Sequence, residues 1–365
     1  MEFEQLKYWL WMTYIKDMWR GKAESFLEVF GTPEELYHSH EGILKKTGIF
    51  TEQDIYNVIE SKNTINIEEK WKELEKKGIR FTTYEMQDYP KRLMQYKEKP
   101  LWLYYKGQMP TDEERMIGMV GARNCSAYGK IMSETISEQI GTYNVGIVSG
   151  MARGIDAAAH MGALRAGAKT YAVLGCGVDV CYPRENIELY MRIQAQGCVM
   201  SEYIPGSEPL KWRFPERNRI ISMLSDVVAV IEAKKNSGSL ITMDYALQYG
   251  KEIFAVPGRV GDVLSEGCNE IIKTGAGLLT EAEDILFAAG VSSLGAKDNK
   301  KNNSKIVLEK ENDVVYSCLG LLPQNIEVIV EKTGMTAAEV FHNLVQLMMV
   351  GLVIEPTKNH YSRAK

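Results

Sequence analysis

Short apolar runs alternate with amphipathic stretches through the middle of the chain. Met116–Val120, Val145–Ser149, Thr170–Leu174, Cys198–Ser201, Val227–Glu232 and Ile253–Val256 are each four to six residues long and almost wholly apolar. Runs of that kind suit strands buried on both faces. Most are followed by glycine and then by a helical pattern. The middle of the chain, about residues 66–290, therefore predicts repeated βα units: an α/β fold with a doubly wound, mostly parallel sheet.

The flanks have a different texture. Residues 1–65 read as a small all-α domain of short helices. Phe26, Leu27, Val29 and Phe30 precede Gly31-Thr32-Pro33, a stop followed by an N-cap and a proline in the first turn of the next helix. A helix over Thr51–Ser61 opens on Thr51, with Asp54 placed for a capping box. Residues 291–309, including the polar run SSLGAKDNKKNNS, read as a linker. The tail, 310–365, reads as helices at Val314–Leu319, Asn325–Lys332 and Thr336–Met349, then strands at Leu352–Glu355 and His360–Ser362. That is the outline of a winged helix.

Composition narrows the class. The 365 residues are 45% hydrophobic and 25% charged, with a net charge of −5, so any polyanion-binding surface must be local. No run is long and apolar enough to cross a bilayer. The amino-terminal stretch lacks a basic region and a small-residue cleavage site, so the expectation is a cytoplasmic protein without a membrane partner. Six cysteines without a CxxC pair read as reduced thiols. His38 and His40 stand alone, so no metal and no cofactor is expected.

Four glycine-rich turns follow predicted strands: Gly121-Ala122-Arg123, Ser149-Gly150-Met151-Ala152-Arg153-Gly154, Gly175-Cys176-Gly177 and Asn236-Ser237-Gly238-Ser239. In a parallel sheet such turns share the carboxyl edge, where ligands bind. Glycine lets backbone approach an anion, and helix N-termini offer free N–H groups. Tight packing of helix on strand explains any one turn equally well. Together, with Arg123, Arg153 and the Ser149, Ser237 and Ser239 hydroxyls, they suggest several phosphates. The run Lys211-Trp212-Arg213-Phe214-Pro215-Glu216-Arg217-Asn218-Arg219 sets four cations against one acid and interleaves two aromatics. Guanidinium groups fork onto phosphates and aromatic faces stack bases. The bland alternative is a surface loop with paired arginines and anchoring aromatics. A Ser149/His160/Asp156 triad is conceivable, but Asp156 and His160 lie one turn apart on a helix and form a simple pair. The run 237–242 lacks the Gly-x-Ser-x-Gly order of a nucleophile elbow.

These motifs resemble those of the DprA/Smf family, DNA-processing protein A. The matching pieces are Val120–Arg123, Ser149–Asp156, Phe214–Ile221, Ser237–Thr242 and Ala255-Val256-Pro257-Gly258, in the family's order across about residues 80–285. The tail resembles the family's winged-helix domain, and the N-terminal region its sterile-alpha-motif-like or helix-hairpin-helix-like domain. The resemblance implies a Rossmann-like fold and a homodimer that is not an enzyme. It implies binding and protection of incoming single-stranded DNA, and loading of RecA recombinase in natural transformation. It implies DNA contacts at Arg123, Lys211 and Phe214, and a phosphate pocket lined by Gly150, Arg217, Asn218, Ser237, Gly238 and Ser239. Gly121, Ser149, Arg153, Gly154 and Arg219 complete the expected site. The alternative is a nucleotide hydrolase of the related phosphoribohydrolase type, which needs Pro-Gly-Gly-x-Gly-Thr-x-x-Glu where this chain has Asn236–Asp244. A transcriptional regulator is a third reading, weakened because Thr336–Met349 offers only His342 as a cation.

Overall fold

The computed structural model describes residues 2–291, 310–320 and 322–363. Six helices come first: α1 (Glu2–Tyr14), α2 (Arg20–Phe30), α3 (Pro33–His38), α4 (Glu41–Lys46), α5 (Glu52–Thr64) and α6 (Ile67–Lys76). The expected caps form. Thr32 accepts from the Glu35 amide ahead of Pro33, and Thr51 and Asp54 make a reciprocal capping box.

A nine-stranded sheet follows, with strands β1 (Arg80–Thr83), β2 (Trp102–Gly107), β3 (Met116–Val120), β4 (Gly146–Ser149), β5 (Thr170–Val173), β6 (Cys198–Ser201), β7 (Val227–Val230), β8 (Glu252–Ala255) and β9 (Gly277–Leu278). The spatial order is β1-β2-β6-β5-β4-β3-β7-β8-β9. β3 to β9 pair in parallel, while β1 and β2 form an antiparallel hairpin added at the β6 edge. All six strands expected from the apolar runs are present. The hairpin was not expected, because Arg80–Thr83 is short and polar and neither strand belongs to a βα unit. The chain winds outward from β3 in one direction through β6, then restarts at β7 on the other side. The switch point therefore lies between β3 and β7, and the crevice at their carboxyl ends is where such sheets take ligands.

Alternate residues of each strand enter cores on opposite faces. Val120, Val148, Val173 and Val228 pack beneath α10 (Arg213–Leu224), α11 (Gly238–Gln248) and α12 (Glu266–Lys273). Ile117, Met119, Ile147 and Ala229 pack beneath α7 (Ala127–Thr142), α8 (Ile155–Arg165) and α13 (Ala282–Ala288). On that second face, α9 (Ile187–Gln196) and the N-terminal helices share one cluster with the hairpin: Trp11, Phe26, Leu74 and Ile193 join Phe81 and Tyr104. Packing is thus continuous across residue 65.

The tail has its own core, including Val315, Ile329, Leu344, Val353 and Tyr361. It consists of α14 (Lys310–Cys318), β10 (Gln324–Asn325), α15 (Ile326–Thr333), α16 (Ala337–Met349), β11 (Val353–Thr357) and β12 (His360–Arg363), with the strands in one antiparallel sheet ordered β10-β12-β11. The linker reading at 291–309 falls outside the described residues except for Val291. All six cysteines are free. Among the described residues no helix is long and apolar enough to cross a membrane.

Candidate nucleic-acid interface

At the β3/β7 switch point a cleft of about 550 Å³ opens, a size ordinary for ligand sites. The turn after β3 supplies Gly121 and Arg123. The turn after β7 supplies Ser237, Gly238 and Ser239, and the approach to α10 supplies Lys211. Phe214, Arg217, Asn218 and Ile221 lie on one stripe of α10, at helical spacing, and all four line the cleft. Nine of the fourteen expected residues thus converge. Sequence reading missed Asn124, Asp156, Lys234 and Asn236, which line the same cleft. Lys234 and Asn236 were within reach, because they stand in the turn that carries Ser237.

The cleft is strongly cationic. Arg123, Lys211 and Lys234 are exposed, and among the described residues no ion pair engages them. Neighbouring cations are taken: Arg153 by Glu185, Arg219 by Glu202 and Lys235 by Glu270. The Arg123 guanidinium lies over the Phe214 ring, 4.8 Å from its centroid. Tyr182 flanks Phe214 at 5.7 Å between centroids. Ser237 caps α11, and its hydroxyl is 2.7 Å from that of Ser239. The helix therefore opens into the cleft with N–H groups and hydroxyls together, a favourable seat for a phosphate.

Arg217 forms the floor. It is 4% exposed, and its Nη1 donates to the carbonyls of Gly150, at 2.8 Å, and Val173. Burial pushes its pKa down and the Asp156 charge pulls it back up. Burial likewise raises Asp156, opposed by Arg217 and by the Ala152 amide, 3.3 Å from its carboxylate. Asp156 is the single acid in the lining, set against four cations.

The other five expected residues sit elsewhere, which corrects the sequence reading. Ser149 is fully buried and donates to the Met119 carbonyl at 2.6 Å. Gly150 lies under Arg217, and a Cβ there would fall within 2.5 Å of its Cζ. Gly154 has φ +74° and nests against the carbonyls of Ala122 and Arg123, so it joins two turns rather than cradling a ligand. Arg153 points outward to Glu185 at 2.6 Å. Arg219 is two residues from Arg217, nearly opposite on the helix, and is buried against Glu202. The third glycine turn is also structural: Gly175 makes room for the Phe214 ring.

The conceivable triad does not form. The Thr170 hydroxyl donates to the Ile147 carbonyl at 3.0 Å, so it accepts from His160 Nδ1–H at 2.6 Å. Burial, then the Arg217 charge, pushes the His160 pKa down to about 3. Among the described residues no group of three His, Cys, Asp or Glu side chains is arranged for a metal.

A family model described as DNA recombination-mediator protein A matches residues 80–290, the whole sheet and its helices. The chain belongs to that family. It is 44% identical over 215 residues to the DNA processing protein DprA of Streptococcus pneumoniae, covering 58% of this chain and 76% of that one. The crystal structure of that DprA superposes with a TM-score of 0.66 at 35% identity, covering 79% of this chain and 97% of the other. The DNA processing protein A of Helicobacter pylori, solved for its single-stranded DNA binding mode, superposes with a TM-score of 0.51 at 30% identity, covering 57% and 94%. The fold is thus Rossmann-like α/β with a helical N-terminus, as the family resemblance implied.

Proposed function

We propose that this protein is a cytoplasmic single-stranded DNA binder that holds the strand along the β3/β7 crevice and brings RecA recombinase to it during natural transformation or homologous recombination. The observation that carries the binding is the unpaired cation set, Arg123, Lys211 and Lys234, around the Phe214 ring and the α11 N-terminus. A polynucleotide needs phosphate seats beside an aromatic surface, and this cleft offers both. The family's printed description as a recombination mediator and the Helicobacter relative's DNA binding support the same reading. RecA loading and homodimer formation are carried by the family resemblance.

The protein acts by binding rather than by catalysis. The phosphoribohydrolase alternative needs an acid near the fourth turn, and Asp244 is exposed and outside the cleft lining. Asp156 is tied to the Ala152 amide instead. The three helices and three-stranded sheet of the tail support the winged-helix reading. On α16, Glu339 is held in a capping box with the N-cap Thr336 and Phe341 is exposed, which favours a protein partner over duplex DNA.

The test is oligonucleotide binding across a salt series. Replacing Arg123 and Lys211 by Ala should weaken binding and flatten the log–log salt slope by roughly 0.7 per lost contact. Unchanged binding in the double variant would remove this site. RecA filament assembly on DNA coated with single-strand binding protein, with and without this protein, tests loading. Release of free base from nucleoside monophosphates would instead favour the hydrolase.

A further inference from the structure

Helix α10 divides the basic segment 211–219 between two sides. Lys211, Phe214 and Arg217 line the phosphate cleft, whereas Trp212, Arg213 and Arg219 line a second cleft of about 800 Å³ between the first two helices and the sheet. The two clefts are therefore contiguous along the chain through residues 211–214.

The second lining has unusual chemistry. Trp19 and Trp212 stand in it 61% and 55% exposed, although large aromatics gain most from burial. Tyr203 meets Trp212 edge to face at 6.3 Å. The Arg213 guanidinium lies over both rings, 4.4 Å from the Tyr203 centroid and 5.2 Å from that of Trp212. Arg219 is 7% exposed and ion-paired with Glu202 through Nη2. Its Nη1 is buried without a hydrogen-bond partner among the described residues, as is Arg213 Nε. Buried charged donors left unpaired are costly, and the two arginines that carry them stand in the lining of one cleft beside two open indoles.

Charge decides the ligand class. Arg20, Lys22 and Arg219 are each held by an acid, Glu24, Asp54 and Glu202, and in the rest of the lining Asp17, Glu98 and Glu216 stand against Lys16 and Arg213. Such a surface repels phosphate as much as it attracts it. It suits a flat, uncharged group whose edge carries both donors and acceptors, which describes a nucleobase.

We propose that this second cleft is a nucleobase subsite. It takes a base splayed from the strand whose phosphates lie in the first cleft, with Trp212 and Trp19 as stacking faces and the Arg219–Glu202 pair against the base edge. The assignment rests on the DNA-binding reading above and extends the strand's path across residues 211–213 toward the N-terminal helices.

The experiment titrates the full-length protein with dye-labelled oligothymidylates of increasing length, following dye anisotropy and tryptophan emission together. Tryptophan emission should be quenched on saturation. Trp212→Ala should lose roughly tenfold of the affinity gained by lengthening, the range of one lost base stack, while Trp212→Phe keeps most of it. An oligonucleotide made abasic beyond its first nucleotides should bind the unaltered protein as the full oligonucleotide binds the Ala variant. Unquenched emission at saturation, or equal affinity for abasic and full strands, overturns the subsite, and neither readout depends on a variant folding. If binding still falls in the Arg123/Lys211 double variant, the first cleft stands and only the subsite is lost. If no oligonucleotide binds the unaltered protein, the DNA reading fails and takes the subsite with it.

Discussion

The Arg123 guanidinium lies over the Phe214 ring, 4.8 Å from its centroid, although one comes from the turn after β3 and the other from α10, and both line the cleft. On the proposed reading Phe214 would act twice, as a surface for a base and as a support for the Arg123 cation. Phe214→Leu keeps apolar bulk and removes the ring. Oligonucleotide affinity is expected to fall roughly two- to fivefold from the lost cation–π contact alone, and further if a base stacks there, with little change in Tm. Anisotropy titration beside a melting curve checks both; unaltered affinity would detach Phe214 from the site.

Gly150 is fixed by Arg217 rather than by DNA. A Cβ at 150 would fall within 2.5 Å of the guanidinium Cζ, and Arg217 cannot retreat because Nη1 is bonded to two carbonyls. Gly150→Ala should cost about 1–3 kcal/mol through overpacking. Denaturant unfolding measures this, and binding should weaken as Arg217 shifts. A variant as stable as the parent would show that the floor can yield.

Gly238 is the opposite case. A Cβ there meets nothing within 4 Å, and the residue opens α11, where alanine is a better helix former. Gly238→Ala should leave stability within about 0.5 kcal/mol, as expected of a surface change. It should still weaken oligonucleotide binding, because the methyl group intrudes where backbone approaches phosphate. Full affinity in this variant would mean that the strand does not touch the α11 N-terminus.

His160 makes stability depend on pH. Its folded pKa is depressed from 6.5 to about 3 by burial and then by Arg217. As pH falls below the ordinary histidine value, the unfolded chain takes up the proton and the folded one does not, so stability is lost progressively from about pH 6.5 downward. His160→Gln removes that titration. Its Tm should start lower at neutral pH, for want of the Thr170 bond, yet decline less steeply than the parent's between about pH 7 and 4. Parallel curves would contradict this assignment.

The sequence determined what depends on a few neighbouring residues. Six of the seven parallel strands show as apolar runs, because their faces are buried on both sides of the sheet; the two-residue β9 does not. The Thr32 and Thr51 caps follow from side-chain reach within one turn. The turns carrying Gly121 and Ser237 were visible as glycine after strand. Tertiary structure decided which chemistry faces which space. Ser149, Gly154 and Gly175 have the same composition as ligand loops but are consumed in packing, since only the third dimension shows what lies above them. The β1–β2 hairpin and the core shared with the N-terminal helices arise from pairings distant in the chain, which no local period records. The basic run 211–219 reads as one patch along the chain. Wound into α10, its residues diverge by about 100° each, and one patch becomes two walls: cations around Phe214 on one side, Trp212 and the buried Arg219 on the other.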